Sequence, residues 1–363
     1  MDNGTPVRVP AAAAGAASGA VPKRTLRVVL GAAALVIVAL LAVFVVGDGG
    51  DGSGAPRAGE AGGCAGKVYV ANLGGTVSVI DAATGEVSGT IPVGGAGIAI
   101  TPDGNSIYVT GGGDDGTVSV ITTATGEVSA PIKVGADAYG VAIAPDGTYV
   151  YVAGGDDGSV SVISTATNTV SGTIPVGKGP SKVAITPDGQ HVYVANFDDG
   201  TVSVITTATG EVSDTINVSG AINGLAITPD GQRAYVATYE PDEGLVHPIA
   251  TATGAVSDAI LVGVGLQNVA ITPDGKYAYV TGGDEDYPTG SVWVIETATG
   301  KVPHAIKVGG SPVGVAITPD GEYAYVANTD DGTVSVIETA SGEVSDTIKV
   351  GGSPYRVAIC PAR

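Results

Sequence analysis

Large aromatic and thioether side chains are scarce in this chain of 363 residues, which has two Phe, one Trp and one Met. A core of stacked rings is therefore excluded, and burial must come from Val, Ile, Ala and Tyr, which suit pleated surfaces. Histidine is rarer still than such a length would lead one to expect: His191, His247 and His304 fall in different repeats and different strands, so they are not expected to share a metal or activate a serine. No Gly-rich phosphate loop, Cys-x-x-Cys or His-Glu-x-x-His motif occurs. Cations are few as well. From residue 67 onward 11 Lys or Arg stand against 32 Asp or Glu, a balance of −21, which argues against nucleic acid as a partner. After residue 66 there is no apolar period of 3.6 residues, which excludes helical and leucine-rich repeats.

What is present is repetition. The stretch Thr186 to Val218, TPDGQHVYVANFDDGTVSVITTATGEVSDTINV, recurs in near copies over almost everything after residue 66. Within it, period-two apolar runs at Val192 to Ala195, Val202 to Ile205 and Val212 to Val218 read as strands, and Gly224 to Thr228 supplies a fourth. Thr-Pro-Asp-Gly, Asp-Asp-Gly and Thr-Ala-Thr-Gly separate them, each a tight reversal ending on Gly. The prolines of the first reversal, Pro102, Pro145, Pro187, Pro229, Pro273, Pro319 and Pro361, are spaced by 43, 42, 42, 44, 46 and 42 residues. Four strands in a period near 42 predict an all-β, seven-bladed β-propeller of four-stranded antiparallel blades over residues 67–363.

Tyr-Val-Ala-Asn at Tyr69 to Asn72, Tyr193 to Asn196 and Tyr325 to Asn328, with Tyr-Val-Thr-Gly at Tyr108 and Tyr279, resembles the YVTN-type β-propeller repeat of surface-layer-like and other extracytoplasmic proteins. The resemblance implies the fold. Relatives of this architecture include lactonases, haem-binding domains and interaction scaffolds, so activity has to be argued from a site.

The chain before the repeats is a different polymer. Residues 1–27 are rich in Ala, Gly and Pro and are expected to form a disordered cytoplasmic tail. Val28 to Val46 gives 19 residues without a charge, which as a helix spans roughly 28 Å and predicts a single membrane crossing. Lys23, Arg24 and Arg27 precede it and Asp48 and Asp51 follow, so the propeller is expected outside the membrane. A cleaved signal peptide is the rival reading, although this apolar run exceeds the usual length. Residues 47–66 read as a flexible Gly-rich linker.

The first repeat begins at a second strand, Val68 to Asn72, and the last ends at a first strand, Val357 to Cys360, so one blade must be completed by both ends of the repeat region. Aligned on the repeat, Cys360 takes the position of Thr186 and Cys64 that of Asp188. These are close neighbours in the turn, which predicts a structural disulfide between Cys64 and Cys360; unrelated thiols are the alternative.

Acidic residues concentrate between the second and third strands, at Asp114, Asp115, Asp156, Asp157, Asp198, Asp199, Asp242, Glu243, Asp284, Glu285, Asp286, Asp330 and Asp331. They are expected to ring one face. Calcium is one reading of them, but Asp-Asp-Gly is ordinary turn chemistry and matches neither calcium loop pattern, so no metal or other cofactor is expected there. Departures from the repeat are better candidates for function. Those just before the first strand, Tyr139, Ser181, Lys182, Asn223, Gln267, Asn268, Tyr355 and Arg356, are expected near the mouth of the central channel as a polar binding site. The lengthened loops Tyr239 to Gly244 and Gly283 to Gly290, with Pro248 expected to interrupt a third strand and Trp293 the only tryptophan, offer a second patch for a partner.

The reading that follows is a membrane-anchored extracytoplasmic propeller that binds a protein, glycan or small ligand at one face, with no catalytic residue assigned. The alternatives are a lactonase-like hydrolase holding a divalent cation through Asn223 or Asn268, and a structural surface-layer component.

Overall fold

A computed structural model of the chain describes residues 63–111, 116–239, 243–283 and 289–361. The calls on the tail, the membrane helix at Val28 to Val46 and most of the linker fall outside these residues. Among the described residues no helix is long and apolar enough to cross a membrane.

Seven antiparallel sheets make up the described structure, and we number them as blades in chain order. Blade 4 shows the plan: Pro180–Ile185 pairs with His191–Asn196, which pairs with Thr201–Thr206, which pairs with Glu211–Asn217. The first strands of successive blades, Gly97–Ile100, Ala138–Ile143, Pro180–Ile185, Ala221–Ile227, Asn268–Ile271, Pro312–Ile317 and Pro354–Ile359, touch one another in an unbroken circuit. They therefore line the axis. Each blade takes its innermost strand from the end of the preceding sequence repeat, so the repeat and the blade are offset by one strand.

Burial confirms the closure. Every one of the seven apolar clusters is shared between two adjacent blades, and blade 1 contributes to two of them, one with blade 2 and one with blade 7. An open stack of seven sheets would have six such interfaces. The clusters are built mainly of Val, Ile, Ala and Tyr, as the composition requires. The repeated tyrosine does more than fill space: Tyr108, Tyr193 and Tyr235 donate their hydroxyls to Asn168 Oδ1 (2.6 Å), Thr251 O (3.2 Å) and Thr297 O (3.2 Å), each in the next blade. Burial raises the pKa of Tyr108 and Tyr193. In the same motif Asn196 is buried and donates to Thr201 and Ser203, tying down the end of its strand.

The composite blade has the order Pro354–Ile359, Lys67–Asn72, Thr76–Asp81, Glu86–Ile91. Cys64 and Cys360 form the disulfide, with Cα atoms 5.5 Å apart. In blade 4 the same two turn positions are joined by Thr186 Oγ1 donating to Asp188 Oδ1 at 2.5 Å, and the bond recurs at Thr101–Asp103, Thr228–Asp230, Thr272–Asp274 and Thr318–Asp320. The disulfide thus replaces both the missing peptide link and this hydrogen bond. Cys360 N still donates to Lys67 O (3.1 Å), as Thr186 N does to His191 O (2.9 Å). Residues 63–66 consequently belong to the propeller rather than to a linker, because Cys64 is buried.

Two expectations about the irregular blades change. Pro248 does not interrupt its strand, Gly244–Ala250, where it pairs with Tyr235. Its missing N–H instead splits the fourth strand of blade 5 into Ala255–Val256 and Ile260–Gly263. Trp293 is half-buried and packs on the core shared by blades 5 and 6, directly over Gly263, where any Cβ would collide with the indole. Residues 240–242 and 284–288 of the lengthened loops lie outside the described residues.

Candidate binding site in the central channel

Five of the seven innermost strands carry a β-bulge near their N-terminal ends. Register shifts fall between Ala138 and Val141, Pro180 and Lys182, Ile222 and Gly224, and Pro312 and Val315, and opposite Ala71 and Asn72 in the composite blade. A bulge leaves a residue outside the ladder and re-aims its side chain. Tyr139, Ser181, Asn223 and Tyr355 stand at these bulges, and both this position and the next vary between blades.

Two of the candidates are cations. Lys182 stands on blade 4 and Arg356 on blade 1, three blades apart one way round the ring and four the other, the greatest separation seven blades permit. Burial and then the charge of Arg356 hold the Lys182 ammonium well below the usual lysine range, and burial also lowers Arg356. Both residues are partly buried. Among the described residues neither belongs to an ion pair, and no carboxylate contributes to the shift of either.

Tyr139 and Tyr355 join them. The pKa of Tyr139 is raised by burial first and then by Asp137, by Tyr355 two blades away, and by Asp156. The Arg356 guanidinium lies 4.7 Å from the centre of the Tyr355 ring and donates to Tyr355 O at 3.5 Å. Tyr139, Lys182, Tyr355 and Arg356 thus all lie near the starts of innermost strands, on blades 3, 4 and 1. Asn223 is committed elsewhere, since its Nδ2 donates to Leu266 O (3.0 Å) in the next blade. Gln267 is held by its backbone N–H to Thr281 O (2.8 Å), and Asn268 pairs with Thr281 in the register position of Lys182 and Arg356.

Glycines missed by the sequence reading make the room. Gly140, Gly224 and Gly314 lie against the backbone of Lys182, Asn268 and Arg356, with a hypothetical Cβ at 2.9, 3.0 and 2.8 Å from the respective Cα. Backbones this close leave the channel narrow, so each long side chain stands beside a residue with none. Aligning the repeats backward from the turn proline would have exposed the pattern.

The acidic loops have a structural part. Asp157, Asp199 and Asp331 accept from the backbone N–H of Ala136 (3.1 Å), Lys178 (2.7 Å) and Gly310 (2.8 Å), the segments leading into the innermost strands. These loops sit at the same end of the ring as the bulges, because Pro180 pairs with Asn196 just before Asp198. Asp114, Asp115, Asp242 and Asp284 to Asp286 are outside the described residues. No group of three or more His, Cys, Asp or Glu among the described residues is placed to hold a metal. An open groove of about 720 Å³ between blades 5 and 6, lined by Arg233, Asp258, Leu261 and Thr299 among others, lies where the fourth strand is split and brings no reactive cluster together.

Residues 102–225 match the Cytochrome D1 heme domain family, about a third of the chain. No protein of curated function matches. Among solved structures the chain is similar to a hydrazine synthase from Kuenenia stuttgartiensis, at 24% identity over 74% of this chain and 90% of that one with a TM-score of 0.68. It is also similar to a candidate 6-phosphogluconolactonase from Bacteroides fragilis (20% identity, 80% and 97% covered, TM-score 0.67). The dihydro-heme d1 dehydrogenase NirN, in complex with DHE, is a further match (17% identity, 81% and 75% covered, TM-score 0.59). A haem would need an iron ligand on the axis, and the seven innermost strands bring no imidazole, free thiolate or thioether there, which leaves the phenols of Tyr139 and Tyr355 as the one ligand type present; His191, His247 and His304 lie on second, third and fourth strands. At these identities the likeness to solved structures establishes the β-propeller fold.

Proposed function

We propose that this chain is a YVTN-type propeller anchored at the membrane through Val28 to Val46, exposed outside the cell, and serving as a binding module whose recognition site is the bulged end of the central channel. The reading is supported by the place of Tyr139, Lys182, Tyr355 and Arg356 at the starts of innermost strands, which line the axis. They come from three blades of a chain whose other positions repeat closely, and folding alone gives no reason for them to depart from the repeat. The ring-closing disulfide supports an oxidising location.

The lactonase-like reading is disfavoured by the same residues. A divalent cation at the channel mouth would face two enclosed positive charges, while Asn223 already donates to Leu266. Protease digestion of intact cells, followed by native mass spectrometry and metal analysis of the purified protein, tests the proposal. The expected outcome is a propeller cleaved from outside that carries no stoichiometric divalent ion and does not turn over lactones. A propeller protected by the intact membrane, or turnover of a lactone, would end it.

A further inference from the structure

Building on that reading, we infer that the bulged end of blades 3 to 5 is a docking surface for a cationic protein segment, whose Lys or Arg side chains meet a rim of carboxylates while an apolar side chain beside them covers Phe197 and Tyr239. Phe197 is 38% exposed and Tyr239 43%, in a chain that has two Phe in all. They hold one structural position, the residue after Asn196 in blade 4 and the residue after Thr238 in blade 5. Gly155 and Gly283 take that position in blades 3 and 6, so the fold requires no side chain there.

Short contacts join the two aromatics. Asn196 pairs with Pro180, the neighbouring Ser181 donates to Ile222 O at 3.3 Å, and Ile222 pairs with Thr238. On the outer side Gly200 O accepts from Val218 and Ser219 at 3.0 and 3.1 Å, and Ala221, two residues on, pairs with Tyr239. Along the first path the Cα atoms of Phe197 and Tyr239 are no more than about 30 Å apart, within the reach of an extended peptide of about nine residues.

The charge around them is one-sided. Among the described residues, this end of blades 3 to 5 carries Asp137, Asp156, Asp157, Asp198, Asp199 and Glu243 against Lys178 and the inner-strand Lys182. All six acids but Asp137 are exposed, and Asp157 and Asp199 are fixed in place by the N–H groups of Ala136 and Lys178. The outer strands sharpen the contrast: Lys133, Lys307 and Lys349 close them at this end in blades 2, 6 and 7, whereas the equivalent residues in blades 3, 4 and 5 are Pro175, Asn217 and Leu261.

A cation is favoured beside carboxylates and over the face of an aromatic ring, and an apolar side chain on the partner takes half-exposed rings out of water. A neutral sugar could stack on the rings but would gain nothing from the acids, and a nucleic acid would be repelled. The groove between blades 5 and 6 sets Arg233 beside Asp258 and so selects no sign of charge. Leu73, 48% exposed at the equivalent position of blade 1, belongs to a Leu-Gly-Gly loop without an acid, which makes it an internal control.

The test uses the purified full-length chain and a fluorescently labelled peptide of about twelve residues alternating Arg and Leu, with peptides alternating Arg and Ser or Glu and Leu as comparisons. By anisotropy at ordinary salt the Arg-Leu peptide should bind saturably and at least about tenfold tighter than either comparison. Phe197→Ser and Tyr239→Ser should each weaken it at least about fivefold, and Asp198→Asn combined with Glu243→Gln should weaken it by a similar factor and flatten its salt dependence. Leu73→Ser should change it less than about twofold. These side chains are exposed, so every variant should melt with the parent.

A silent titration with the Arg-Leu peptide, equal binding of the Arg-Ser peptide, or a loss with Leu73→Ser as large as that with Phe197→Ser would overturn the inference. So would self-association of the chain that Phe197→Ser abolishes, which would make a second copy the occupant, or binding of a neutral oligosaccharide that Tyr239→Ser abolishes while the peptide stays silent. The two proposals fail separately: a propeller protected by the intact membrane ends the functional reading and leaves this titration standing, whereas a silent titration leaves an outward-facing propeller without this docking surface.

Discussion

Each innermost strand has two ends that obey different rules. At one end a Pro-Asp-Gly reversal recurs in six of the seven blades, in five of them with a Thr hydroxyl on an Asp carboxylate, and with a Gly such as Gly189 at φ +72°. At the other end a bulge releases one residue whose identity changes from Tyr139 to Ser181 to Asn223 to Tyr355. The first end solves a folding problem that every blade shares, so it has one answer. The second end is free of the ladder, and its side chains answer to what they face across the axis. In a repeat protein, constancy marks architecture and departure marks recognition, provided the departures meet in space.

The largest expected effect breaks the constant end where it is already exceptional. Replacing Cys64 and Cys360 together by Ser opens the only blade without a peptide turn. The chain-entropy estimate for so long a loop is about 5 kcal/mol, a fall in melting temperature on the order of 10 °C by calorimetry. An unchanged melting temperature would mean that the composite blade is held by its ladder and core alone.

Tyr193→Ala empties an inter-blade cluster and removes the bond to Thr251, at an expected cost of about 3–5 kcal/mol in chemical denaturation, while Tyr193→Phe removes only the hydrogen bond, about 1 kcal/mol. At the variable end, Gly314→Ala forces a methyl group to within 2.6 Å of Tyr355 O and 2.8 Å of Arg356 Cα. Overpacking of this kind costs about 1–3 kcal/mol, to be read as a lowered midpoint in chemical denaturation.

The smallest effect concerns the turn carboxylates. Asp188, Asp230, Asp274 and Asp320 have lowered pKa values, in each case chiefly through the hydrogen bond from the paired Thr hydroxyl, and Asp274 reaches about 2. A depressed folded-state pKa means stability that is present above the unfolded value and lost as pH falls through the folded one. Melting temperature should therefore decline between pH about 4 and about 2, and Asp188→Ala should cost at most about 1 kcal/mol near neutral pH while flattening that decline slightly. Decline confined to higher pH would assign acid sensitivity to other groups.

The blades, their number and the ring closure were legible because they depend on local alternation, turn residues and the arithmetic of the repeat. The pairing of Cys64 with Cys360 was legible for the same reason, since both positions could be superposed on Thr186 and Asp188. Less was legible where a residue's neighbour lies in another blade. Trp293, singled out as a loop aromatic, fills the space over Gly263, and Asn223, read as a channel ligand, spans to Leu266. The Asp-Asp-Gly loops read as turns, but nothing local showed that their second Asp receives the N–H groups of the incoming strand.

By itself, the sequence determined the shape of one blade and how many copies of it must share an axis, because strands and reversals are decided by residues a few positions apart. Only the closed ring decided that Lys182 and Arg356, nearly half the chain apart, stand on opposite walls of one channel, and that the glycines between them leave it narrow. Contact across an axis is set by the angle at which seven sheets pack, and no spacing along the chain encodes it.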